Sequence, residues 1–253
     1  MPASPRSRSL TAHVAEALGD QIRAGHLPHG AKLPREADLM DEFGVSRTVV
    51  REAVKSLIAK GLVSTGPKVG TRVLAEEHWN WFDPDVVAWQ SKAGLTPEFL
   101  RDLQYLRRAV EPAAVRLAAE RATAADLNSI EAAYQGMKTA IEDGGDYVTH
   151  DLRFHQGLLR ACRNRMLVQM SKALSALLRT SFEISTSRPD GPKSSLPLHR
   201  AVLDAVIARQ PDRAEKAILK LIDGAADDIE LVLASRKRLP SLRKMASQLK
   251  KAA

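Results

Sequence analysis

The chain has a single cysteine, Cys162. No internal disulfide is possible, and a disulfide-stapled scaffold is excluded. A reducing, cytoplasmic setting is the expectation. Aromatic residues are nearly as scarce, at 4%. The 44% of hydrophobic residues are therefore mostly Ala, Leu, Val and Ile, set among the 27% that are charged. That mixture favours helices over strands. No apolar run approaches the roughly 18 residues a membrane span needs, so no membrane partner is expected. The first ten residues, MPASPRSRSL, are basic but have no hydrophobic stretch and no cleavage site. They do not read as a secretory signal. What remains is a globular chain of 253 residues, long enough for one large domain or two ordinary ones.

Charge is unevenly placed. Residues 1–75 carry 11 Lys+Arg against 7 Asp+Glu, a net of +4. Residues 76–234 carry 20 against 23, a net of −3, and residues 235–253 carry 7 against none. Basic segments attract polyanions, because neutralising a phosphate releases condensed counterions. Charge by itself does not separate DNA from RNA, membrane or solubility.

The pattern of apolar residues is more specific. Leu10, Val14, Leu18 and Ile22 form one stripe and predict a helix over Ser9–Ala24. A short helix follows Pro34 and stops at Gly44, and Ser46 is placed to cap a third that closes at Gly61. Leu62–Ser64 and Thr71–Leu74, around Gly66-Pro67-Lys68-Val69-Gly70, are too short for helices and predict two small strands with a glycine turn. Residues 1–75 thus read as three helices and a hairpin. Residues 76–96 read as a linker with a short helix, Asp83-Pro84 starting it and Gly94 ending it. From Thr96-Pro97 the chain is helix after helix, with breaks at Gly144-Gly145, near Asn164, over Arg188–Pro197 and at Pro211. Thr123 with Asp126, and Asp212 with Glu215, resemble capping boxes. The fold class is mainly α: a winged helix-turn-helix, an antiparallel helical bundle over 97–234, and a basic tail at 235–253. Pro240 and seven unopposed cations predict disorder in that tail.

The second and third helices have helix-turn-helix spacing. Ser46, Arg47 and Thr48 open the third, and Arg51 lies one turn on. Short hydroxyls and long arginines suit a turn that faces base edges and phosphates, and Arg alone bridges guanine O6 and N7 with a rigid fork. The hairpin would be a wing, with Lys68 and Thr71 available to phosphate or minor groove. On the residues alone, Arg47 and Arg51 equally suit a solvated helix face.

LPREADLMDEFGVSRTVVREAVKSLIAKGLV closely resembles the signature of the GntR superfamily of bacterial winged-helix regulators. The resemblance implies operator contacts by Arg35, Arg47 and Arg51, with the hydroxyls of Ser46 and Thr48, and a wing, GPKVGTRV, turning at Gly70. LRRAVEPAAVRLAAERAT resembles the first core helix of the FadR-type ligand-binding domain, called FCD, and the likeness continues to about Ala234. EHWNWFDPDVVAW is most similar to sugar-acid-responsive repressors, galactonate-responsive ones in particular.

HDLRFHQ places Asp151 and His155 four residues apart, on one helix face. His199 faces the bundle interior if Val202, Leu203 and Val206 do, at the start of another helix. Spacing alone also fits a surface hydrogen-bond pair. The resemblance implies that Asp151, His155 and His199 are metal ligands, and such donors suit Zn²⁺, Ni²⁺, Mn²⁺ or Fe²⁺. The family's fourth ligand, a histidine, falls on Leu221. Two readings stay open: an open-sided metal that a sugar acid chelates, or no metal, with the three residues hydrogen-bonding the effector. Arg107, in an RxxxE pattern with Glu111, is the candidate partner of an effector carboxylate, unless an acidic neighbour takes it. Ser195 adds a hydroxyl. Trp79, Trp81, Phe82 and Trp89 read as packing of the linker, and Cys162 as a small core residue.

The expected function is a cytoplasmic, homodimeric regulator, not an enzyme, released from operator DNA by a small sugar acid. Sensing of a dicarboxylate, an acyl-CoA or a metal is the alternative within that class. From another class comes a metal-dependent hydrolase with a nucleic-acid-binding arm, which lacks an evident general base.

Overall fold

A computed structural model describes residues 5–67, 69–93, 95–188 and 190–238. The chain divides into two compact units, Met1–Gly94 and Leu95–Ala253.

In the first unit, α1 (Pro5–Arg23), α2 (Glu36–Phe43) and α3 (Arg47–Ala59) pack on one another ahead of β1 (Val63–Gly66) and β2 (Gly70–Val73). The helix α1 begins four residues earlier than its apolar stripe predicts, at Pro5, a residue the first helical turn accepts. Gly44 ends α2 in the left-handed region, at φ 61°, where a side chain is disfavoured. Ser46 then caps α3, its hydroxyl accepting the Val49 N–H at 3.5 Å. The strands pair antiparallel, Val63 with Val73 and Gly66 with Gly70. The stretch before α2 joins them along β2: Leu33 N–H donates to Thr71 O and Val73 N–H to Ala31 O, both at 2.9 Å.

The segment expected as a linker packs onto this same unit. Trp79, Val86 and Trp89 belong to its buried core with Val14, Leu18 and Leu57. Asp83 caps α4 (Pro84–Ala93), accepting the N–H of Asp85 and Val86. It also holds the buried Lys60 ammonium at 3.0 Å, beside Asp85 at 2.8 Å. Gly94, expected as the cap, lies outside the described residues.

The second unit comprises α5 (Pro97–Arg121), α6 (Ala124–Glu142), α7 (Tyr147–Ala161), α8 (Arg165–Ser185), α9 (Gly191–Ile207) and α10 (Pro211–Arg238). Thr96 caps α5 and the Thr123–Asp126 capping box opens α6. Its core gathers Val115, Phe154, Leu158, Val202, Ile218 and Leu221 from four helices.

Three local expectations are corrected. Pro197 does not break the chain but lies inside α9, which begins at Gly191 with a proline in its first turn. Lys193 and Pro197 are both exposed, so water can meet the carbonyl that Pro197 leaves without its donor. Consequently His199 sits in the middle of its helix, not at its start. Asp212 is already inside α10, and with Glu215 it turns to Arg116 of α5, Glu215 at 2.7 Å, instead of forming a cap. Finally, α10 runs through Arg238, four residues into the expected tail. The rest of that tail lies outside the described residues.

Candidate functional site

Two places gather chemistry, one in each unit. On the first, α3 presents Arg47 and Thr48 exposed in its first turn and Arg51 one turn later. Ser46 is exposed as well, but its hydroxyl is committed to the cap. Arg35 is exposed at the N-terminus of α2, its backbone N–H donating to Asp38 Oδ2 at 3.1 Å. Glu36, the next residue, accepts from Arg51 Nε with both carboxylate oxygens, at 2.9 and 3.1 Å. It also stands 3.8 Å from Arg47 Nε. On the hairpin, Gly70 adopts φ 77°, and the Thr71 hydroxyl shares a 3.0 Å hydrogen bond with Thr65 across the strands. Lys68 lies outside the described residues.

In the second unit, α5, α7 and α9 bring Arg107, Asp151, His155 and His199 to one cavity of about 240 Å³, and α10 adds Leu221. Asp151 and His155 share a face of α7, as their spacing predicts, with Oδ1 to Nε2 at 3.4 Å. His199 Nε2 lies 3.0 Å from the same oxygen. One ligand atom from each of the three residues lies within 4.8 Å of the others, and all three residues are buried. Phe154 and Phe182 meet the two imidazoles at ring separations of 5.0 Å.

What orients the imidazoles is a second set of contacts. His199 Nδ1 faces the Ser195 carbonyl at 2.9 Å. A carbonyl only accepts, so Nδ1 carries a proton and Nε2 is the atom turned to Asp151. His155 Nδ1 is bound to Glu111 Oε2 at 2.7 Å. Histidines that hold a metal are fixed in this way, by a carboxylate or carbonyl on the outer nitrogen. The donor set therefore fits a divalent cation; among the described residues it comprises these three side chains, and Leu221, buried, lines the same cavity.

Glu111 is the residue that sequence reasoning left without a role in the site. Its other oxygen accepts from Arg107 Nε at 2.7 Å, so one carboxylate joins the arginine to the histidine. Burial alone would raise the Glu111 pKa, but the Arg107 guanidinium and His155 outweigh it and hold the group at about 2. Burial alone would lower the His155 pKa, but Glu111 and Asp151 push it up to about 9. Asp151 is held well below the usual carboxylate range: burial opposes this, and the two histidines overcome it. Of the two expectations for Arg107, the acidic partner is the one the structure shows. It is paired with an acid, yet Nη1 is buried without a hydrogen-bond partner, while its guanidinium lies 4.9 Å over the Phe182 ring.

Ser195 also lines the cavity, but its hydroxyl is bound to the Tyr147 hydroxyl at 2.7 Å and donates to Pro192 O at 3.2 Å. Where the cavity meets the turn after α8, Arg188 is paired with Asp228 of α10. Neither Tyr147 nor the Arg188–Asp228 pair was visible as part of a site in the sequence. The only available signal was that α10 would present acids one turn beyond Gly224.

Two family models match the chain: "Bacterial regulatory proteins, gntR family" over residues 10–73 and "FCD domain" over residues 102–224. The chain belongs to the gntR family of bacterial regulatory proteins, in its FadR-type branch with an FCD domain. It is similar to the galactonate operon transcriptional repressor of Escherichia coli (strain K12), at 36% identity over 84% of this chain and 93% of that protein. It is also similar to the HTH-type transcriptional regulator YieP of the same organism, at 33% identity over 85% of this chain and 93% of that protein. Among solved structures, the Listeria monocytogenes regulator Lar superposes with a TM-score of 0.61 at 19% identity, over 91% of this chain and 99% of that one. That likeness concerns the fold. The protein is a DNA-binding transcriptional regulator, and the metallohydrolase alternative falls with that assignment. No described helix is long and apolar enough to cross a membrane.

Proposed function

We propose that the protein is a homodimeric repressor whose operator affinity is lowered by a small, galactonate-like sugar acid bound in the helical unit. The observation that carries the effector half is one cavity holding both the Asp151–His155–His199 donor set and Arg107, with its unpartnered Nη1. Asp151, His155 and His199 would hold Zn²⁺, Ni²⁺ or Mn²⁺, which would supply Lewis-acid affinity for a carboxylate and an adjacent hydroxyl. Arg107 neutralises the acid from its free Nη1, and Leu221 leaves room on the side where the family has a ligand. The name of the E. coli repressor, at 36% identity, supports a sugar acid.

The lining also speaks to the alternatives. An acyl chain needs an uninterrupted apolar tunnel, and this cavity carries Arg107, Arg188, Asp151 and both histidines. A dicarboxylate's second charge would meet Asp227 and Asp228. A monoanionic, hydroxyl-rich acid avoids both conflicts.

On the DNA side, Arg47, Thr48 and Arg51 read bases. Arg35, Ser46, Lys68, Gly70 and Thr71 position the backbone. Two copies serve a two-fold operator.

The test is a thermal-shift series on the full chain, metal-stripped and then reloaded with each ion, against aldonates and dicarboxylates. A ligand at 100 times its Kd stabilises by about 2.7 kcal/mol. We expect an aldonate to stabilise the reloaded protein strongly and the stripped protein weakly, because linkage makes metal and acid raise each other's affinity by the same factor. Leu221→His should retain metal through dialysis yet fail to release operator when the acid is added. Undiminished aldonate affinity in the stripped protein would refute the metal. The three residues would then be hydrogen-bonding groups, and His155→Ala and His199→Ala should still abolish the response. No response to any acid in either state would refute the effector assignment.

A further inference from the structure

Resting on the reading that α3 enters the major groove, we propose that Glu36 is a positioning residue for operator specificity, holding Arg51 and Arg47 in the posture that reads bases. It arrives from a different helix, in the first turn of α2. Both its carboxylate oxygens take Arg51 Nε, and one lies 3.8 Å from Arg47 Nε. Arg47 and Arg51 are four residues apart on α3, so their side chains are neighbours and repel. A single acid between them removes that repulsion and gives both long side chains a common anchor.

The choice of atom matters. Glu36 engages Arg51 through Nε, and the two Nη groups make no hydrogen bond among the described residues. A guanine is read by two parallel donors of the guanidinium. Anchoring at Nε leaves the Nη pair available for that contact while restricting the rotamers of the stem. An unanchored arginine instead spends its charge on whichever phosphate is near, which adds affinity without sequence information.

An exposed ion pair ordinarily contributes little to stability. Side-chain exposures of 59% for Arg51 and 42% for Glu36 place this one in that class. Its role is therefore legible only in DNA binding, where the proposal makes two quantities move in opposite directions. Losing Glu36 should lower discrimination between operator and random DNA by about ten-fold, the scale of one bidentate base contact. The same loss removes a negative charge from the interface. Affinity for random DNA should rise, and the salt dependence should steepen by about 0.9 in the log–log slope for one additional phosphate contact.

The experiment is selection of preferred sites by the full-length protein from a random-sequence duplex pool. Titrations of the selected site and of the unselected pool at several salt concentrations then follow, for the unmodified protein, Glu36→Ala, Glu36→Gln, Glu36→Asp and Arg51→Ala. Thermal melting confirms that each variant is folded. We expect Glu36→Ala and Glu36→Gln to become indifferent at a base position that the unmodified protein reads sharply, to bind the pool more tightly and to show the steeper slope. Glu36→Asp should restore part of the preference. If Glu36→Ala selects the same sequence with the same discrimination while Arg51→Ala loses it, the positioning role is overturned and the recognition helix stands. If Arg51→Ala also keeps its preference, the assignment of α3 itself fails.

Discussion

The two candidate sites, one in each unit, use arginine in opposite ways. In the first, Arg35, Arg47 and Arg51 stand exposed on a scaffold whose buried core is apolar apart from groups such as Lys60. In the second, Arg107 is 1% exposed and shares the interior with Glu111, Asp151, His155 and His199, none above 5%. A surface arginine costs the fold almost nothing and can be spent on a partner. A buried one must be compensated by an acid, because an uncompensated charge in the interior is strongly destabilising. The exposed arginines of α2 and α3 are therefore separable from stability in this molecule, whereas the ionic cluster of the second unit is part of its core.

The most damaging way to probe that contrast is Glu111→Ala. It strips the partner from Arg107 and from His155 in one change, and removal of one member of a buried ionic network costs about 3–5 kcal/mol. Urea unfolding followed by circular dichroism should register that loss. A change below about 1 kcal/mol would show that water or neighbouring groups already carry those charges.

Arg51→Ala or Arg47→Ala is the surface counterpart. Unfolding free energy should stay within about 0.5 kcal/mol, while discrimination for operator over random DNA falls by about 1–3 kcal/mol. Mobility shifts with selected and random duplexes provide the measure. Equal loss of stability and selectivity would erase the distinction between the units.

The mildest probe asks whether the helical unit also carries stability at its surface. Thr123 caps α6 and pairs with Asp126, which also takes Arg163. Thr123→Ala should cost about 1 kcal/mol. Asp126 supplies a pH signature. Burial raises its pKa, but the Thr123 and Arg163 hydrogen bonds outweigh it and hold the carboxyl at about 2, against an ordinary 3.8. A depressed carboxylate contributes stability that is complete above its unfolded pKa and is lost as pH falls through the folded one. The acid limb of the stability curve, between about pH 4 and 2, should therefore flatten in Thr123→Ala. An unchanged limb would remove Asp126 from the account.

How much could be read in advance follows from the same contrast. The turn between α2 and α3, the cap at Ser46 and the hairpin with Gly70 are local devices, each decided within about four residues, and each stands where its residues indicate. The same is true of the Thr123 box and of Asp151 with His155 on one face. Signals that have both a local and a distant use were misread. Pro197 resembles a break but is tolerated on an exposed stretch of α9, and Asp212 with Glu215 resembles a cap but answers Arg116 from another helix. The aromatic segment at residues 79–89 resembles a connector, yet Trp79 and Trp89 complete the first unit's core.

By itself, the amino-acid sequence determined the helical class and the helix-turn-helix with its exposed basic turn, whereas Asp151, His155 and His199 were singled out only through the family resemblance. Periodicity, caps and glycine turns act over one or two helical turns, so a linear string contains them. Only the tertiary structure decided that His199 lies mid-helix against Asp151, that Glu111 couples Arg107 to His155, and that one Arg107 nitrogen is left unpartnered beside the cavity. Those relations join α5, α7 and α9 across 44 to 48 positions of sequence. They are settled by which helix faces pack together, and no local rule carries that information.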